Sequence, residues 1–148
     1  EYQYAGRGQY QRRWYSPCAA NLLVSYRLDI HVKQINSKWS VELAEYICDA
    51  LKLRYQDLDV EVKAPNDIYC GQWKLAGVLL ECETQGKAHT MVCGVGLNVN
   101  VPHVDISRWG GTSLAHLLGE SVQRTELAVW LVDVIRLFWM LQGVSQGI

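Results

Sequence analysis

The 148-residue sequence contains no apolar run approaching the roughly 18 residues a membrane-spanning helix needs, and no signal-peptide pattern opens it. A spanning helix is therefore excluded, and no membrane partner is expected. Charge of one sign is also lacking: 14 Lys and Arg face 15 Asp and Glu, a net charge of -1. That balance removes the simple electrostatic case for nucleic acid, so no nucleic-acid partner is expected either. The five cysteines (Cys18, Cys48, Cys70, Cys82, Cys93) are an odd number with no C-x-x-C pair. Most lie in strand-like or helix-like apolar stretches and read as reduced, buried small hydrophobes of a cytoplasmic chain. The four histidines (His31, His89, His103, His116) are scattered without ligand spacing, so no zinc site is expected. Neither a Walker loop nor a dinucleotide fingerprint is present, and there is no internal repeat or low-complexity tract.

What remains is an ordinary globular composition, 49% hydrophobic and 20% charged, in a length that fits one domain over residues 1–148 with a real core. The chain opens on the strand-like "EYQY" rather than on Met, which gives the expectation that a preceding segment was removed or lies elsewhere. Leu22, Val24, Tyr26 and Leu28 alternate as on a half-buried strand. Leu43, Ala44, Ile47, Cys48 and Leu51 then recur at helical spacing. Val60 to Lys63 starts a second strand group, Pro65-Asn66-Asp67 breaks it, and "IYCGQWKLAGVLLE" reads as a hairpin about Gly71. "HTMVCGVGLNVNV" supplies another strand. Gly77, Gly94 and Gly96 fall inside strand patterns, where glycine marks a bulge or the close approach of another group. "DISRWGGTSLAHLLGES" holds a Gly-Gly hinge and a short helix from Ser113. The spacing of Leu127, Trp130, Leu131, Val134, Phe138 and Leu141 predicts a last helix with its aromatics in the core and Thr125 as N-cap.

Two stretches carry chemistry. In "AGRGQYQRRWYSP", Gly6 and Gly8 bracket Arg7, and Arg12 and Arg13 follow. Glycine backbone and arginine forks suit phosphate or carboxylate oxygens, although a solvated basic loop has the same composition. In "KAPNDIYCGQWKLAGVLLE", Lys63 and Lys74 sit in an apolar strand pattern, where a solvated hairpin with incidental lysines is the competing reading.

Gly-Arg-Gly with a following basic pair and W-x-S-P (Trp14, Ser16, Pro17), K-x-P-N-D-I-Y (Lys63, Pro65 to Tyr69), K-L-A-G-V-L-L-E (Lys74 to Glu81) and G-V-G-L-N-V-N (Gly94 to Asn100) together resemble the catalytic domain of biotin protein ligases. Order and spacing agree over roughly residues 2 to 102, and residues 105 to 141 resemble the family more loosely. The resemblance implies an α/β (α+β) fold, a mixed sheet backed by helices related to the class II aminoacyl-tRNA synthetase core. It implies biotin and Mg-ATP as substrates, a biotinyl-5′-AMP intermediate, and transfer of biotin to one lysine of a biotin carboxyl carrier domain of a biotin-dependent carboxylase. A homodimer is compatible with it.

The roles it implies are specific. Lys74 touches the biotin carboxylate and the α-phosphate, and Arg7, Arg12 and Lys63 join it as catalytic cations. Gln3, Gly6, Arg7, Gly8, Lys74 and Gly77 bind biotin, with Gln3 beside the ureido ring. Arg12, Arg13, Trp14, Asn66, Asp67 and Asn98 bind ATP, Asn98 at the adenine and Asp67 at the Mg2+. The sequence departs from the best-known bacterial pattern at Gln9, where arginine is often found, at Tyr10-Gln11, and at Ala64, where tryptophan is usual. Fewer cations around the adenylate imply faster loss of the intermediate. The family's Ser/Thr-rich biotin segment, its C-terminal β-barrel and the DNA-binding domain of some members have no counterpart in these residues. The expectation is an N-terminally truncated domain that binds ATP measurably and biotin weakly, without repressor function. A lipoate or octanoate ligase-type enzyme and a noncatalytic nucleotide- or carrier-binding module are the alternatives.

Overall fold

The structure, a computed structural model, describes Gln3, Ala5, Gly6, Gly8 and residues 13–30, 35–85 and 88–144. Along the chain run β1 (Leu22–Ile30), α1 (Trp39–Arg54), β2 (Glu61–Lys63), β3 (Asp67–Cys70), β4 (Trp73–Gln85), β5 (Ala88–Leu97), α2 (His103–Ile106), a 3-10 turn (Ser107–Trp109), α3 (Leu114–Leu118) and α4 (Arg124–Leu141). The strands form a five-stranded sheet in the order β1-β5-β4-β3-β2. Each neighbouring pair is antiparallel, and among the described residues one isolated parallel bridge joins Lys74 to Gly111. The expected sheet backed by helices is what forms.

Strand alternation gives the sheet two unlike faces. One face presents Leu22, Leu28, Ile30, Ile68, Val78, Met91, Cys93, Val95 and Leu97, all buried. Against it pack α1, through Trp39, Leu43, Ala44, Ile47, Cys48 and Leu51, and α4, through Leu127, Leu131, Val134, Ile135, Phe138 and Trp139. Trp39 and Trp139 meet edge to face, ring centres 5.2 Å apart, where the two helices join. With one face spent on the core, the other is open for a ligand. Among the described residues no helix is long and apolar enough to cross a membrane.

Three sequence expectations need correction here. The N-cap of α4 is Gln123, without a side-chain cap, and Thr125 lies one residue inside the helix. Tertiary bonds fix this entry instead. Asn100 clasps Val122 with two hydrogen bonds of 2.9 Å, and Arg124 Nη1 donates to the Asn21 carbonyl at 3.0 Å. Leu141 is 72% exposed, whereas Ile135 and Trp139 are fully buried. At about 100° per residue the buried stripe is centred toward Ile135, which leaves Trp130 half-buried and Leu141 at the stripe's margin. All five cysteines are free, but Cys18 and Cys82 are exposed and only Cys48 and Cys93 are buried. Burial pushes the Cys93 thiol up to about 12. His103 and His116, far apart in sequence, stack at 4.0 Å with Trp73 edge-on to His103.

Candidate active site

The hairpin that carries the lysine turns at Gly71, whose φ of 57° suits glycine at the first position of a tight turn. Pairing then places Cys70 opposite Trp73 and Tyr69 opposite Lys74, but Ile68 opposite Ala76. Leu75 is the extra residue of a β-bulge. Its consequence is chemical: regular alternation would put Lys74 on the same face as Ala76 and Val78, in the core. The bulge instead brings Lys74 onto the open face with Gly77 and Asp67, which pair directly across β4 and β3.

There Lys74 Nζ lies 2.7 Å from Asp67 Oδ1, with 29% and 21% of the two side chains exposed. The ammonium also stands 5.2 Å from the centre of the Trp14 ring. Lys74's main chain is held on three sides. Its N–H donates to Gly110 O at 2.9 Å, and its carbonyl accepts from Thr112 N at 2.9 Å and Asn98 Nδ2 at 3.3 Å. The 110–112 segment can lie this close because position 111 has no side chain. A Cβ there would sit 2.7 Å from Ile106 Cγ1 and 3.3 Å from Lys74 O.

Of the three glycines within the strands, Gly77 and Gly96 mark a close approach, as expected, and what approaches is Trp14; Gly94 does not. A Cβ on Gly96 would meet the indole at 2.7 Å, and one on Gly77 would meet the ring at 3.2 Å, Asp67 Oδ1 at 3.1 Å and Lys74 Cε at 3.3 Å. Gly94 is roomier, its nearest neighbour Leu79 O at 3.5 Å. Trp14 Nε1 is buried with no hydrogen-bond partner among the described residues. Over this floor opens a cavity of about 860 Å³, bordered by Lys63, Asp67, Lys74, Trp14, Asn98 and Arg13 together with Gln3, Gly8, Ser25 and Leu79. Its volume lies in the range of small-molecule sites. Tyr15 and Trp109 stack at its rim, ring centres 5.2 Å apart.

Most sequence-assigned residues within the described part therefore converge. Gln3 and Gly6 are in contact: a Cβ on Gly6 would lie 2.8 Å from Gln3 Oε1, and Gly6 O accepts from Trp14 N at 2.9 Å. Arg13 is exposed at the cavity's border. Lys63 is occupied at the hairpin, donating to Gly71 O at 2.8 Å and lying 4.4 Å over the Tyr69 ring. Asn66 is buried and tied to β4: Val78 N donates to its carbonyl at 2.8 Å, and its side-chain amide donates to Val78 O. Its role in this structure is to hold the corner that aims Asp67. Asn98 is buried too, its amide engaged with Asn21 and with Lys74 O. Arg7 and Arg12, and the departures at Gln9 to Gln11, lie outside the described residues.

Sequence reasoning missed Asn21, the Gly110–Thr112 clamp and the Tyr15–Trp109 stack. The Gly-Gly pair in "RWGGT" was a visible signal for the clamp. Nothing in the sequence paired position 111 with position 74.

Fold and site together define an α/β domain with a small-ligand cavity on the open face of its sheet, a lysine–carboxylate pair at its centre. The chain belongs to the biotin/lipoate A/B protein ligase family, whose profile matches residues 1–98. It is 37% identical over 142 residues to the bifunctional ligase/repressor BirA of Escherichia coli strain K12, covering 92% of this chain and 43% of that protein. It is 31% identical over 105 residues to the chloroplastic biotin–protein ligase 1 of Arabidopsis thaliana, covering 66% of this chain and 28% of that one. A biotin protein ligase from Aquifex aeolicus, solved in complex with biotin and ATP, superimposes with a TM-score of 0.73 at 26% identity. That match covers 92% of this chain and 56% of the other. The chain thus spans less than half the length of these two curated relatives.

Proposed function

We propose that this chain carries the adenylating site of a biotin protein ligase, and that it activates biotin with ATP and passes it to a lysine of a biotin carboxyl carrier domain. The observation that carries this reading is the half-buried Lys74, turned by the bulge onto the open sheet face beside Asp67, over a glycine floor. Identity to relatives named as biotin ligases supports biotin as the acid.

In the first step a carboxylate oxygen of biotin attacks the α-phosphorus of ATP. The new P–O bond forms as the bond to pyrophosphate breaks, giving biotinyl-5′-AMP. Negative charges converge as the carboxylate approaches, so a fixed cation in a partly dry site has most to contribute. Two unit charges about 4 Å apart interact by about 1 kcal/mol in water and about 4 kcal/mol at an effective dielectric near 20. Lys74 supplies that cation, aimed by Asp67 and held at its main chain by Gly110, Thr112 and Asn98. The buried Trp14 Nε1 is a donor for a bound acceptor. Arg13 borders the cavity and is a cation available to the phosphates. In the second step the carrier lysine's neutral amine attacks the acyl carbon, an amide forms as the nitrogen gives up one proton to solvent, and AMP departs with the anhydride oxygen.

Among the described residues no three acidic, histidine or cysteine side chains gather into a metal cluster. The donors present fit Mg2+ as an ion carried by the triphosphate, with Asp67 as a single carboxylate ligand. Bound in that way, Mg2+ neutralises phosphate charge.

The test is pyrophosphate release and carrier labelling with ATP plus biotin, with lipoate as the comparison acid. Release that depends on biotin, and label on one carrier lysine, is the expected result. Release with lipoate alone would reassign the acid, and failure to bind any nucleotide would overturn the site.

A further inference from the structure

Behind Lys74 runs a chain of three hydrogen bonds between amide groups. Val99 N–H donates to Asn21 Oδ1 at 3.0 Å, Asn21 Nδ2 donates to Asn98 Oδ1 at 3.2 Å, and Asn98 Nδ2 donates to Lys74 O at 3.3 Å. Both asparagines are buried, 3% and 4% exposed. The sense of this chain is not arbitrary. It starts at a main-chain N–H, which can only donate, and ends at a main-chain carbonyl, which can only accept. Reversing either side-chain amide would set donor against donor or acceptor against acceptor. Asn21 is itself anchored, since its carbonyl accepts from Arg124 of α4 at 3.0 Å.

Each amide oxygen has two lone pairs and each amide nitrogen two hydrogens. The relay uses one of each on Asn98, a residue that borders the cavity. What Asn98 retains is one acceptor position and one donor position in a fixed order. We propose that Asn21 is a positioning residue that fixes the Asn98 amide, so that the site prefers a nucleotide base with an exocyclic amine beside a ring acceptor over one with an exocyclic carbonyl. The proposal rests on the adenylating-site reading and adds to it a determinant outside the cavity. Adenine offers N6–H to Oδ1 and a ring nitrogen to the remaining Nδ2–H. Guanine presents O6 in place of the amine, which sets an acceptor against Oδ1, and the relay keeps the amide from turning to offer its nitrogen there instead.

Asn21→Asp tests this with little change of shape. The carboxylate still accepts from Val99 N–H but sets an oxygen against Asn98 Oδ1, so the amide turns or loosens. Dissociation constants for ATP and GTP are measured by calorimetry on the full 148-residue chain and on the variant. The added negative charge weakens both nucleotides, and the ratio of the two constants cancels it. The ATP-over-GTP preference is expected to fall by about 10-fold or more, the discrimination of one well-made bidentate contact. Asn21→Ser, which keeps an acceptor but is too short to reach Asn98, should move the ratio the same way. An unchanged ratio in a variant that still binds ATP overturns the proposal, as does an equal loss for both nucleotides in the two variants. If both variants fail to fold, Asn21 is a folding residue and the proposal falls. If the unmodified chain binds neither nucleotide, the adenylating-site reading falls with it.

Discussion

Adding one methyl group to Gly96 should damage this protein, and adding one to Gly94, two residues away on the same face of the same strand, should not. A Cβ at Gly96 would lie 2.7 Å from Cε2 and Cζ2 of Trp14 and 3.2 Å from Cδ2. Carbon atoms pack at about 3.5–4.0 Å, so the indole must retreat by about 1 Å. It cannot slide over the neighbouring strand, because its Cζ3 is already 3.2 Å from the Cβ position of Gly77. Overpacking of this kind costs about 1–3 kcal/mol. For a chain of this size that corresponds to a fall of about 2–10 °C in Tm. At Gly94 the nearest atom is Leu79 O at 3.5 Å, an ordinary contact. There the stiffer unfolded chain of alanine offsets any crowding, by about 0.4–1 kcal/mol. Thermal unfolding of Gly96→Ala and Gly94→Ala side by side is the assay, with a Trp14→Leu background as the control. In that background the Gly96→Ala penalty should shrink, because the two residues are coupled. Equal Tm values for the two alanine variants, or a Gly96→Ala penalty unchanged without the indole, would refute the packing of Trp14 on the sheet.

Lys74→Ala should lower biotin-dependent pyrophosphate release by on the order of 10²- to 10³-fold, as loss of one preorganised donor does, with circular dichroism unchanged because the main-chain bonds at position 74 remain; an intact rate would remove Lys74 from the mechanism. Cys93 is raised from 9.0 to about 12 by burial, so the unfolded chain ionises first. Its stabilising contribution is present below pH 9.0 and is lost as pH rises toward 12, and a Cys93→Ala variant should show a shallower fall in stability over that window; identical slopes would count against the burial. Under native conditions an alkylating reagent should label Cys18 and Cys82 quickly and Cys48 and Cys93 only on unfolding, as mass spectrometry of quenched samples would report. Leu141→Ser should change stability by less than about 0.5 kcal/mol, whereas Ile135→Ala should cost about 2–5 kcal/mol in urea unfolding. Comparable losses would restore Leu141 to the core.

The core helices and the strand hairpin were legible because their signals are local. A 3.6-residue period with Leu43, Ile47 and Leu51 in phase specifies a buried stripe whatever it packs against, and Gly71 between two apolar runs specifies a tight turn. The end of α4 was less legible, since a stripe read from apolar spacing alone admits Trp130 and Leu141 as readily as Ile135 and Trp139. Only the direction of the sheet surface separates them. The ordered blocks from Gly6 to Asn100 contain many of the residues that border the cavity, among them Trp14, Lys63, Asp67, Lys74, Gly77 and Asn98, while Ser25, Ile106, Trp109 and Gly111 lie outside them.

The sequence by itself determined which groups are available: a lysine in an apolar strand, a Pro-Asn-Asp corner before it, and glycines where something must come close. Which groups meet was decided by tertiary structure. Lys74 reaches Asp67 only because the Leu75 bulge reverses its face, and strand alternation read from the sequence would have buried it beside Ala76. Trp14 covers Gly77 and Gly96 from more than 60 residues away, and Asn21 bonds Asn98 across 77 positions. Such contacts are set by the register of neighbouring strands and by the directions of hydrogen-bond donors and acceptors in space, and neither is encoded in the spacing of residues along one strand.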